Sequence, residues 1–178
     1  MLTVTVPSEE FYDSEKEEFL YTEPVTFEIE HCLLAISKWE SKWKKSFFSK
    51  EPKTSEEVLD YIRCMTMSAD IPKDVYDRLP DSVFSQIVDY IDDYHSATTI
   101  KQNGRPSREI ITTEIIYYWM TIYNIPFECE TWNIDRLLNL IQICIIKSEP
   151  PKKLGKNALR ERNASLNAAR RAQLHTKG

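Results

Sequence analysis

Near the start of the chain, Leu2, Val4 and Val6 alternate with Thr3 and Thr5, and further on Val25, Phe27 and Ile29 alternate with Thr26, Glu28 and Glu30. A period of two places each apolar set on one face of a strand, and the two runs predict an N-terminal hairpin over residues 1–30. Glu9, Glu10, Asp13, Glu15, Glu17 and Glu18 crowd the connection, which also carries Phe11, Tyr12, Phe19 and Tyr21. A short extra strand is expected around residues 19–21.

After Glu30 the period becomes helical. Cys32, Ile36, Trp39, Trp43 and Phe47 recur at steps of three and four with lysines between them, so one aromatic-bearing face turns inward. Thr54-Ser55-Glu56-Glu57 reads as a capping box that opens a second helix, with Val58, Leu59, Ile62 and Met65 on its inner face. Pro72 and Pro80 bracket a short helix, and another is expected over about 82–93 with Phe84, Ile87, Val88 and Ile91 inward. Residues 96–107 read as the longest loop of the body, expected to be mobile, with Ser107 capping the next helix. That helix carries Ile110, Ile111, Ile115, Ile116, Tyr117, Tyr118, Trp119, Met120, Ile122 and Tyr123, and a helix apolar nearly all round belongs at the centre of a bundle. Asn124-Ile125-Pro126 ends it. Thr131 is placed to cap a last core helix with Ile134, Leu137, Leu138, Ile141 and Ile145 at core spacing.

Pro150 and Pro151 stop helix growth, and the composition then changes. Residues 157–174 are rich in Ala, Arg and Asn, with helix propensity but little apolar surface to bury. The pattern predicts an α+β, mainly α fold: an N-terminal β-hairpin packed on a bundle of about five helices over 31–147. A flexible basic C-terminal tail over 148–178 completes it and orders on a partner.

With 178 residues, 42% of them apolar, the chain suits one compact domain plus an appendage. The formal charge of −5 conceals a division: residues 1–147 carry net −11 and residues 148–178 carry net +6. A basic arm beside an acidic body points to nucleic acid or to an acidic protein surface, a neighbouring copy of this body included. Only three glycines occur, so no glycine-rich loop can wrap a phosphate, which excludes P-loop and dinucleotide-binding readings. Cys32, Cys64, Cys129 and Cys144 lie far apart without a CxxC pair, and are expected as reduced core thiols rather than zinc ligands. The first residues lack the basic and apolar regions of a signal peptide, and no apolar run approaches the roughly 20 residues that span a bilayer.

Catalytic chemistry would need His31, His95 or His175, and only His31 beside Cys32 forms a suggestive pair. Neighbours on a helix point about 100° apart, so a structural role is preferred. Asp89, Asp92 and Asp93 lack the glycine and closing glutamate of a calcium loop and read as a solvated helix end. The tail is more informative. Arg160, Arg162, Arg170 and Arg171, with Asn163 and Asn167, fit an arginine-rich RNA-binding helix, but no aromatic residue follows Ser148 to stack on bases. The competing reading is a helical arm anchored by Leu159 and Leu166, one heptad apart, in an acidic protein groove, and the acidic body favours it by repelling nucleic acid. Trp39 and Trp43 join Leu159, Arg160, Arg162, Leu166, Arg170 and Arg171 as candidate partner-binding residues, since an exposed Trp is a frequent interface anchor.

Four strings carry a family resemblance: Glu30-His31-Cys32-Leu33-Leu34-Ala35-Ile36-Ser37-Lys38-Trp39-Glu40-Ser41-Lys42-Trp43; Glu56-Glu57-Val58-Leu59-Asp60-Tyr61-Ile62; Tyr117-Tyr118-Trp119-Met120 followed by Asn124-Ile125-Pro126-Phe127-Glu128-Cys129; and Leu166-Asn167-Ala168-Ala169-Arg170-Arg171. Together they resemble the tail assembly chaperones of long-tailed, siphovirus-like bacteriophages. The resemblance spans nearly the whole chain and rests on structural residues. It implies a non-enzymatic protein, without cofactor or metal, that coats the tape measure protein in the host cytoplasm and is displaced as tail tube subunits polymerise. The expected partners are the tape measure protein or other phage tail proteins, with a second copy of this chain as a further candidate; nucleic acid is disfavoured, and no membrane is involved. The alternative is a structural virion component, a connector or tail subunit whose C-terminal arm docks on a neighbour.

Overall fold

Strands β1 (Leu2–Val6) and β4 (Val25–Ile29) pair antiparallel, Val4 opposite Phe27 and Leu2 opposite Ile29. The pleat sends Val4, Val6, Phe27 and Ile29 into the core, while Thr5 and Thr26 meet through their hydroxyls at 3.0 Å on the open face. The computed structural model describes residues 1–13, 17–100, 110–148 and 155–174. Nested in the connection, β2 (Glu10–Asp13) and β3 (Glu18–Tyr21) form a second antiparallel hairpin; β3 is the expected extra strand, and β2 is its partner. Beyond β4, Glu30 N–H donates to Met65 O (3.0 Å) and Met67 N–H to Glu28 O (2.8 Å), so the chain leaving the second helix extends the β1–β4 sheet by a few residues.

Helix α1 (Leu33–Trp43) buries Leu33, Ala35, Ile36 and Trp39. It stops at Trp43 because Lys44 turns into the left-handed region (φ 55°), its N–H closing on Glu40 O at 2.8 Å. Phe47, expected on the helical stripe, therefore lies beyond the helix. Its ring folds back on Tyr61 (4.3 Å between centroids) and edge-on to Trp39 (5.3 Å). Helix α2 (Ser55–Met65) opens with both bonds of the capping box, Glu57 N–H to Thr54 Oγ1 (3.3 Å) and Thr54 N–H to Glu57 Oε2 (2.8 Å). Tyr61, Ile62 and Met65 are its core face. The short α3 (Asp74–Asp77) follows, with Val75 and Tyr76 buried.

Helix α4 (Asp81–Asp92) commits a narrower stripe than its pattern predicts. Ile87 is fully buried and Val83, Tyr90 and Ile91 pack against the core, but Phe84 and Val88, each one residue round from that stripe, are exposed. The all-round apolar helix is also placed differently from expectation. Helix α5 (Thr113–Ile122) starts after Ile110 and Ile111, with Thr112 at its N-cap; only Thr113, Ile116 and Met120 are buried. Ser107 falls outside the described residues. The 3₁₀ turn Phe127–Thr131 leads into α6 (Ile134–Ser148), whose capping residue is Asn133 rather than Thr131. Asn133 Oδ1 accepts from Asp135 N–H at 3.0 Å, whereas the Thr131 hydroxyl is spent on Glu128 O. Ile134, Leu137 and Ile141 complete the core, against which Leu138 and Ile145 also pack. The fold is thus α+β and mainly α.

Contacts divide the chain into two units, Met1–Ile145 and Ile146–Gly178. In the second, the segment expected as a flexible tail is a continuous helix, α7 (Lys156–Leu174), every described side chain of which is exposed. Among the described residues, no helix is long and apolar enough to cross a membrane.

One buried carboxylate joins two parts of the first unit. Glu40 Oε1 accepts Phe47 N–H (2.8 Å), and Glu40 Oε2 accepts both Thr113 N–H (2.8 Å) and the Thr113 hydroxyl (2.6 Å). Removing that acceptor leaves buried donors unpaired, at about 1–3 kcal/mol each. Glu40→Ala should therefore lower unfolding free energy by about 3 kcal/mol or more in urea titration, and Glu40→Gln, which keeps one carbonyl acceptor, should cost less.

Candidate partner-binding surfaces

The two tryptophans expected to offer anchors are held inside the first unit to different degrees. Trp39 is only 1% exposed, and its indole N–H donates to Glu57 O at 2.8 Å. It has no surface left for a partner, because the Phe47 turn closes over the α1 face that carries it. Trp43 is half-buried; its N–H donates to Asp60 Oδ2 (3.0 Å), and the Lys42 ammonium lies 5.4 Å from its ring centroid while binding Asp60 Oδ1 (2.5 Å). Asp60 thus fixes both the indole edge and the cation above it. Glu57 is satisfied by Lys45 and by the Thr54 N–H, which hold its carboxyl below the usual range.

His31 and Cys32 do not act as a pair. Cys32 is the N-cap of α1, and burial pushes its thiol up; burial also pushes Cys64 up to about 11. Such thiols stay protonated and unreactive near neutral pH. All four cysteines are free, Cys32 and Cys129 buried as expected, Cys64 and Cys144 only half-buried. His31 Nδ1 bonds the buried Tyr61 hydroxyl, and His31 O accepts Ile134 N–H at 2.8 Å, fixing the start of α6. Burial holds the imidazole down to about 4, against the opposing pull of Asp135 and Glu30. His95 is likewise tied, its ring Nε2 to Tyr90 O at 2.9 Å. Glu30, buried beside them, is bonded by the Met1 ammonium (2.6 Å), the Tyr90 hydroxyl (2.8 Å) and the Asn133 amide (3.2 Å). Burial alone would raise its carboxyl, but these donors outweigh burial and hold it below the usual range. Asp89, Asp92 and Asp93 sit exposed at the end of α4, and among the described residues no group of three His, Cys, Asp or Glu side chains is placed to hold a metal.

The arm residues do line up. On α7, Arg162, Leu166 and Arg170 follow at steps of four, and Leu159 lies one heptad before Leu166, so these four share one face. Arg160 and Arg171, eleven residues apart, lie together on a neighbouring face. Leu159 and Leu166 are each 46% exposed.

Two further surfaces were not singled out by sequence. The outer side of α5 presents Tyr118 (61% exposed) and Ile122 (50%), flanked by the half-buried Ile115. Phe127 (55%) is also exposed, its ring against Tyr117, whose hydroxyl is anchored on Glu130 Oε2 at 2.6 Å. The uniform apolarity of α5 was its signal, since such a helix suits an apolar partner as well as a bundle centre. The β2–β3 hairpin exposes Tyr12, Phe19 and Tyr21, whose period of two was masked by the carboxylates around them.

His31 yields a pH prediction. In the unfolded chain an ordinary imidazole takes up its proton near pH 6.5, well before the buried one does. Its contribution to stability is therefore complete above about 6.5, declines as pH falls, and is fully lost once pH passes about 4. Urea midpoints measured across that window should fall by an amount equivalent to roughly 3 kcal/mol. His31→Asn, which retains a hydrogen-bonding amide for Tyr61, should flatten that slope. When compared with family models, with curated proteins and with solved structures, the chain matches none of them.

Proposed function

We propose that this chain is a tail assembly chaperone of a long-tailed bacteriophage, a non-enzymatic protein that binds the tape measure protein in the host cytoplasm during tail assembly. The residue strings around α1, α2, α5 and the end of α7 support the family, and the outward face of α5 carries the mechanism. Ile115, Tyr118 and Ile122 follow the three- and four-residue steps of one helical stripe. An apolar stripe of this kind packs against the apolar face of another helix, which a tape measure presents along its length until the tube encloses it. Tyr118 adds a large ring with a polar tip, the type of side chain that binds firmly yet tolerates water on release. Displacement by polymerising tube subunits then requires only that they bury the same tape measure face more completely.

Helix α7, every described side chain of which is exposed, favours the second reading, a connector or tail subunit whose arm reaches a neighbour in the finished particle. Mass spectrometry of mature particles separates the two: absence supports the chaperone, and stoichiometric presence supports the structural part.

Co-expression with the tape measure protein from the same genome should give a complex recoverable from the supernatant. Tyr118→Lys with Ile122→Lys should abolish it while leaving the thermal midpoint within a few degrees, because both side chains already face water. A tape measure protein that stays insoluble with the unaltered chain, or a complex indifferent to both substitutions, would count against the reading.

A further inference from the structure

We propose that the open face of the β2–β3 hairpin receives helix α7 of a second copy of this chain. The register pairs Glu10 with Tyr21 and Tyr12 with Phe19, so the pleat puts all four side chains on one side of the hairpin. Tyr12 is 53% exposed, Phe19 60% and Tyr21 69%. The Tyr12 and Phe19 rings touch at 5.1 Å between centroids, and the Tyr21 hydroxyl donates to Glu10 Oε1 at 2.7 Å. An isolated two-stranded hairpin is marginal in water, and three uncovered rings make this one a surface in need of a lid. Its base is nevertheless fixed: Arg78, just beyond α3, donates to Thr22 Oγ1 (2.7 Å), Pro7 O (3.3 Å) and Glu23 O (3.4 Å). The aromatic face is therefore held out from a firm root.

Charge selects the occupant. Residues 9–23 carry seven acidic side chains against one lysine, net −6, whereas α7 carries net +4. The kind of cation changes as well. Lysine outnumbers arginine in residues 1–147, but four of the five cations of α7 are arginines. A guanidinium stacks on an aromatic ring while its edge forks to a carboxylate, and the hairpin offers both together; an ammonium cannot do both. Leu159 and Leu166 alternate with Arg162 and Arg170 along the α7 stripe, so apolar groups would meet rings where cations meet Glu10 and Glu23. The lengths agree: Leu159 to Arg170 spans about 16 Å of helix, and four residue pairs of hairpin about 13 Å. Nucleic acid fits less well, since α7 has no ring for base stacking and the acidic body repels phosphate. Because each copy has one hairpin and one arm, reciprocal exchange closes a two-fold dimer. This contact uses neither Tyr118 nor Ile122, and it stands or falls independently of the tape measure reading.

Sedimentation velocity on the full chain tests it. The expected result is a concentration-dependent dimer that weakens as salt is raised. Arg162→Glu with Arg170→Glu, and separately Glu10→Lys with Glu23→Lys, should each raise the dissociation constant about tenfold or more, with far-UV circular dichroism unchanged. A chain carrying all four reversals should dimerise again, as should an equimolar mixture of the two double variants. A chain that stays monomeric at every concentration, a dimer that none of the reversals weakens, or a fourfold variant no better than the doubles would overturn the proposal. So would tight low-salt binding of a uridine homopolymer that the arm variant loses and the hairpin variant keeps, in a chain that does not dimerise.

Discussion

The orientation of α5 depends on one buried carboxylate. Glu40, on the last turns of α1, collects the N–H of Phe47 and both donors of Thr113, and so specifies where the aromatic turn closes and where α5 begins. A buried acceptor that collects three donors favours few arrangements, because any other leaves several donors unpaired. With Thr113 held there, Ile116 and Met120 turn inward, and Tyr118 and Ile122 turn out. The surface proposed to meet the tape measure protein follows from a polar interaction on the opposite side of the same helix.

Polar groups inside this unit share that pattern. Asp60 holds an indole and an ammonium, Glu57 a lysine and a cap, and Glu30 an amine, a phenol and an amide. Each carboxylate ties together segments distant in sequence. The aromatic side chains fill the space between these ties, with Phe47 at the centre of Trp39, Tyr61, His31 and Phe48. Residues that would attract attention as chemistry, His31 above all, are accounted for as parts of this framework.

Elements governed by local rules were readable from the chain. Alternation gave β1 and β4, Thr54 and Glu57 gave the start of α2, and Asn124 with Pro126 gave the end of α5. What escaped depends on contacts between elements. Nothing local says that Lys44 will turn left-handed and detach Phe47 from α1, or that Asn133 rather than Thr131 will cap α6. Amphipathicity marks which residues are apolar, but the neighbours decide how wide a stripe is covered, and so Phe84, Val88, Tyr118 and Ile122 were expected inside and lie outside. Of the candidate binding residues, Leu159, Arg162, Leu166 and Arg170 share a face as heptad spacing requires, while Trp39 is enclosed by a turn that periodicity could not foresee.

The nesting of one hairpin within another bears on the order of folding. For β1 to find β4, the chain between Val6 and Val25 must close into a loop. If β2 and β3 zip first, Thr22 N–H meets Glu9 O and brings the two ends together, leaving only the flanking residues to order. Shortening the effective loop roughly threefold lowers the entropy of closure by about 1 kcal/mol. The exposed inner hairpin would then act as a zipper for the sheet that seals the core, and its acidic, aromatic sequence would govern the speed of maturation as well as the surface it leaves behind.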